Sequence, residues 1–190
     1  MMTARKIDEM SIRKDVARRA KELGARVSHR DITLEFMDAE IAVGCRVFRA
    51  TWRAGRAQGG LTGLLRDEEE PDTYPARSLG KLFHRWLETE GKLPNPMLVA
   101  RVAAYLYDPL MVHTVILTQE DRSRYIERLE WLPYIQLPET IEIAGRPGII
   151  FWWGGPTGAS RMRLYLDQRN RIHSEEKMIQ DFLGDEKPDA

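Results

Sequence analysis

Residues 141–166 read IEIAGRPGIIFWWGGPTGASRMRLYL, and the fold class follows from how this stretch divides. Ile141–Ala144 and Ile149–Trp153 are short β-branched and aromatic runs on either side of Gly145-Arg-Pro-Gly148, the composition of a hairpin. Met162, Leu164 and Leu166 then alternate with Arg161, Arg163 and Tyr165, the period of a half-exposed strand. Gly154–Ser160 between them is a hairpin loop. It lacks the lysine of a G-x-x-x-x-G-K-[ST] phosphate loop and joins strand to strand rather than strand to helix. An anion nest aided by Arg161 is its residual functional reading.

Working outward, Asp167–Asn170 has turn composition and Arg171–His173 reads as a short return strand. Ser174 is expected to cap a last helix with Met178, Ile179, Phe182 and Leu183 on its apolar side and Glu175 and Glu176 in its first turn. On the other side, residues 112–117 (VHTVIL) read as a strand. Thr118–Asp121 has the shape of a capping box, with Asp in place of the usual Glu or Gln, opening a helix that packs through Tyr125, Ile126 and Leu129. Pro133 and Pro138 bracket an extended piece. The order β-α-β-β-β-β-α with short connections predicts an antiparallel sheet with helices packed on one face, hence an α+β protein.

The first half reads as mostly helical. Ile7, Met10, Ala17, Ala20 and Leu23 predict a helix over residues 4–23, closed by Gly24. Ser78 caps a helix through Glu90, with Leu79, Leu82, Phe83, Trp86 and Leu87 on one side. A turn at Leu93-Pro-Asn-Pro leads to a helix over residues 96–107. This pair has helix-turn-helix form, but Arg101 is the only charge on the second helix, which suits a core and not a base-reading surface.

Residues 28–57 fit two templates. Ile32, Leu34 and Phe36 alternate as in a strand, whereas Leu34, Met37, Ile41, Cys45, Phe48 and Trp52 follow a helical stripe. With Asp38 as N-cap, the helical template predicts a helix over residues 38–54. Arg46, Arg49, Arg53 and Arg56 then share one face beside Trp52, and Gly55, Gly59, Gly60 and Gly63 form a loose connection. Asp67–Asp72 is an acidic loop broken by Pro71. The domain reading is a helix-rich part over 1–110, basic up to residue 66; an antiparallel α+β part over 111–184; and a polar tail over 185–190, the first two being one continuous domain or two packed subdomains.

Across all 190 residues, Lys+Arg and Asp+Glu number 29 each, so a globally basic nucleic-acid protein is excluded. The distribution is uneven: residues 1–66 carry 14 basic against 8 acidic residues, and residues 67–190 carry 15 against 21. With 43% hydrophobic and 31% charged residues the composition is that of a globular chain, not a disordered one. The single cysteine, Cys45, excludes a disulfide framework and a multi-cysteine zinc site. His29, His84, His113 and His173 have no metal-ligand spacing, and no nucleophile motif occurs. No cofactor is therefore expected, and with no signal-like start and no apolar span the chain is expected to be cytoplasmic and off the membrane.

These features lead to an interaction protein (adaptor, assembly or regulatory component) that meets a protein partner or itself through Arg46, Arg49, Trp52, Arg53 and Arg56. Nucleic acid on the same face is the alternative, with Trp52 stacking on a base. A third reading is an enzyme or small-molecule binder with a pocket on the antiparallel sheet, with Trp152, Arg163 and His173 near its mouth.

Overall fold

The structure is a computed structural model that describes residues 9–37, 44–66, 71–124, 131–155, 158–169 and 171–185. Helices and antiparallel sheets together make it an α+β protein, as the sequence predicts. Chain contacts divide it into two compact units, one of residues 1–82 and 105–110, the other of residues 83–104 and 111–190. Among the described residues no helix is long and apolar enough to cross a membrane. The expected N-cap at Asp38, the acidic run Asp67–Glu70 and the helix face of Tyr125, Ile126 and Leu129 lie outside the described residues.

In the first unit, α1 (Glu9–Glu22) is followed by β1 (Thr33–Phe36), β2 (Cys45–Ala54) and β3 (Ala57–Arg66), which form a sheet in the order β1-β2-β3. Over residues 45–54 the helix expected over 38–54 is therefore a strand, preceded by a turn at Gly44. Both templates fit the apolar residues, and the partner strand decides between them. Trp52 lies opposite Gly59 and Phe48 opposite Gly63. A side chain at Gly59 would collide with the Trp52 indole, and one at Gly63 with the Phe48 ring. Of the glycines read as a loose connection, Gly59 and Gly63 are thus the seats of the aromatic rings, within β3. A two-residue turn closes the hairpin between Ala54 and Ala57, and Gly55 supplies its positive φ of 65°.

Phe48, Ala50 and Trp52 project from one side of β2 and pack with Ile12, Val16 and Ala20 of α1 and with Ile32. The buried stripe of α1 is thus 12, 16 and 20. Met10 and Leu23, expected on its apolar side, are 48% and 60% exposed.

The next helix, α2 (Pro75–Glu90), begins three residues before the expected Ser78, with proline in its first turn. Asp72 organises this entry. Its backbone bridges to Leu64 of β3, its Oδ1 accepts from the Tyr74 amide at 3.1 Å, and its carbonyl accepts from the Ser78 hydroxyl at 2.9 Å. Oδ2 meets Arg77 Nε at 2.6 Å and Lys81 Nζ at 3.0 Å. The side chain is only 3% exposed. Leu79, Leu82, Phe83 and Trp86 of α2 are fully buried, as are Val99, Ala100, Val102, Ala103 and Leu106 of α3 (Pro96–Tyr107), which is the expected core helix.

The second unit holds β4 (Thr114–Ile116), α4 (Gln119–Ser123), β5 (Glu139–Ile143), β6 (Arg146–Gly155), β7 (Gly158–Leu166), β8 (Ile172–Met178) and α5 (Gln180–Asp185). The strands run in the order β4-β6-β7-β8, and β5 also pairs with β6. The Thr118–Asp121 capping box forms: Thr118 Oγ1 accepts from the Asp121 amide at 3.1 Å, and Asp121 Oδ2 accepts from the Thr118 amide at 3.0 Å. The β5–β6 turn is Ala144-Gly145, with φ of 51° and 72°, so Arg146, Pro147 and Gly148 belong to the strand. Residues 174–178, expected to open the last helix, instead extend β8. Glu175 faces Arg163 across the ladder and bonds it at 3.0 Å, a cross-strand pairing that the HSEEK sequence does not announce.

Two outcomes are expected from these features. Burial pushes the Asp72 carboxyl up, but hydrogen bonds from Arg77, Lys81 and the Tyr74 amide outweigh it and hold the pKa below the ordinary 3.8. The unfolded chain then binds the proton more readily than the folded one. The contribution of Asp72 is complete above the unfolded value and is lost as pH falls through the folded one. Urea unfolding of Asp72→Asn should show stability lower by about 1.5–3 kcal/mol near neutrality, because a buried carboxylate loses its charge-assisted hydrogen bonds, and a shallower fall below pH 4 than the parent. Separately, Ala144→Asn gives the favoured Asn-Gly turn and relieves an alanine at positive φ. It should raise stability by about 0.5–1 kcal/mol in the same assay.

Candidate functional site

The arginines of β2 do not share a face. Arg46 is exposed on the side that carries Phe48, Ala50 and Trp52, whereas Arg49 and Arg53 project from the opposite side. Arg49 is ion-paired to Glu35, its register partner in β1, and its guanidinium lies 5.3 Å from the centre of the Tyr105 ring. Arg53 and Arg56 are exposed toward and in the hairpin turn. Trp52 is 7% exposed within the core, so its ring is not presented to a base. The strand periodicity that replaces the expected helix therefore disperses these residues.

The five-stranded sheet places its side chains in rows. One face carries Ile149, Phe151, Trp153, Met162, Leu164 and Leu166, all buried. On the other, the ladder aligns Ile116, Trp152, Arg161 and Lys177 across β4, β6, β7 and β8. This row borders a cavity of about 400 Å³ lined by Trp152, Arg161, Lys177, Phe182, Pro133, Tyr134 and Gln136.

Phe182 of α5 contacts most of the lining groups. The Arg161 guanidinium and the Lys177 ammonium each lie 4.4 Å from the centre of its ring, so both cations sit on one phenyl group. The Trp152 and Tyr134 rings are 5.5 and 6.1 Å from it by centroids. Trp152 is buried together with Ile116, Trp131, Ile135, Ala159 and Ile179, which fixes that wall.

The electrostatics of Arg161 are unusual for an arginine. Burial lowers its pKa, the like charge of Arg163 lowers it further, and Glu175 offsets only part of this. Its Nε is buried without a hydrogen-bond partner among the described residues. Among the described residues, Glu175 bonds Arg163 and accepts from the Tyr165 hydroxyl at 2.8 Å, and Glu176 accepts from the Trp153 indole N–H at 3.1 Å.

Of the expected pocket residues, Trp152 lines the cavity, whereas Arg163 and His173 lie further along the same sheet face. Arg163 is held by Glu175. His173 Nε2 is 3.0 Å from Asp167 Oδ2, and its ring stacks on Tyr165 at 5.6 Å. Amides of Arg171 and Arg169, with the side chains of His173 and Arg171, bring the Asp167 carboxyl far below its ordinary value. Arg161 was legible as part of the polar face of β7. Lys177 and Phe182 were not, because the register of β8 hides behind a sequence that looks like a helix start. Cys45 is buried, and the described residues contain no cluster suited to a metal ion. No family model, no curated protein and no solved structure matches the chain.

Proposed function

We propose that the second unit is a binding module for a small anionic ligand, held in the cavity between β6–β8 and α5. The observation that carries this reading is the convergence of Arg161 and Lys177 on one aromatic ring inside a walled cavity. Two like charges brought together at a partly desolvated site are stabilised by an anion between them. Among the described residues the lining supplies two cations and no carboxylate or histidine, which supports the reading of an anion-binding site. This is the small-molecule reading of the sequence, with Arg161 and Lys177 in the places assigned to Arg163 and His173.

A second reading concerns the first unit. Arg53 and Arg56 are exposed near the tip of the β2–β3 hairpin, where an acidic protein surface or a phosphate backbone can approach them. On this reading the wild-type chain self-associates in sedimentation velocity, or binds a labelled random oligonucleotide with an affinity that collapses between about 50 and 200 mM salt. Arg53→Glu with Arg56→Glu abolishes whichever is seen. The absence of both behaviours, or their survival in the double variant, overturns it.

The leading proposal is tested by thermal denaturation against a panel of small organic and phosphate anions. An anion at about a hundred times its Kd stabilises the folded state by roughly 2.7 kcal/mol, a rise of about 5–10 °C in Tm for a chain of this size. The rise should vanish in Arg161→Gln with Lys177→Gln. A panel without effect, or equal effects in parent and variant, rejects the site.

A further inference from the structure

The cavity also specifies what kind of anion it accepts, and this inference rests on the anion-binding reading above. Two half-buried aromatic side chains, Tyr134 and Phe182, supply walls, and both cations lie against the phenyl group rather than at the far end of a channel. A ligand that contacts the charges is therefore already beside the rings. A nucleotide separates its phosphate from its base by a sugar, which places charge and ring too far apart for this arrangement. A bare inorganic anion uses the cations and leaves the aromatic walls against water.

We infer that the ligand is a compact aromatic acid, with a carboxylate attached at or next to a planar ring. The carboxylate meets Arg161 and Lys177, and the ring lies beside Tyr134 and Phe182. Arg161 offers a planar fork suited to two carboxylate oxygens, and Lys177, its register partner on β8, offers a point charge beside it. Offset or edge-on packing of the ligand ring against Tyr134 and Phe182 adds selectivity beyond simple apolar burial.

The test is isothermal titration of the full chain with three probes of similar size: benzoate, cyclohexanecarboxylate and benzamide. Benzoate is expected to bind about three- to tenfold more tightly than cyclohexanecarboxylate, the range for aromatic pairing, and benzamide far more weakly than either. Phe182→Leu should shrink the difference between the two acids, whereas Arg161→Gln should weaken both acids alike. Equal binding of the two acids overturns the aromatic assignment and leaves the anion site standing. Benzamide binding as well as benzoate, or no binding by either acid, overturns the anion site itself. Because the comparison of the acids is made on the parent chain, it holds even if a variant misfolds.

Discussion

Three successive aromatics, Phe151, Trp152 and Trp153, sit on one strand, and alternation forces them onto opposite faces of the sheet. Large rings of this kind must be covered, so β6 commits both faces of its sheet to contacts. On one face the cover completes an apolar core. On the other it is incomplete, and the Trp152 row continues into Arg161 and Lys177 rather than into further apolar residues. The cavity follows from that change of chemistry along a single row. Register is the controlling quantity, because a slip of one residue between β6 and β7 or between β7 and β8 would carry the cations to the buried side.

The sequence was most legible where local chemistry is sufficient. The capping box at Thr118–Asp121, the apolar helices around Trp86 and Val99 and the alternation of Met162, Leu164 and Leu166 follow from neighbours within a few residues, and all form, with α2 starting ahead of the expected Ser78 cap. It was least legible where a distant strand decides. Phe48 and Trp52 are four apart, and so are Gly59 and Gly63. In a hairpin these spacings interlock, ring over glycine, but in isolation the first spacing is also that of a helix. The same ambiguity hid β8, whose serine and paired glutamates make a plausible helix start until Leu164, Arg163 and Met162 are set opposite them. The candidate site inherited that error: its tryptophan was visible in the sequence, but the lysine and phenylalanine that complete it needed the ladder.

Charge tells a related story in the first unit. The basic excess of residues 1–66 is partly absorbed by local pairing, with Arg13, Arg18 and Arg19 bonded to carboxylates on α1 and Arg49 bonded across strands to Glu35. Such exposed pairs contribute little individually. Asp72 differs because its own carboxylate is buried and is held by Arg77 and Lys81, and it fixes the start of α2 to the end of β3. Counting net charge along a sequence therefore overstates the cation density available to a partner. What matters is which guanidinium groups remain once the ladder and the helix have taken theirs.

The last strand has a consequence of a different kind. β8 is the outermost strand of its sheet, and an outermost strand offers its unsatisfied amides and carbonyls to any similar strand that approaches. Ser174, Glu175 and Glu176 are all exposed there. If two copies of β8 met antiparallel about their midpoints, Glu175 would stand directly opposite Glu175, an arrangement that repels. The acidic run that made this segment hard to read is thus a built-in stop to growth of the sheet from molecule to molecule, a safeguard against fibril-like stacking.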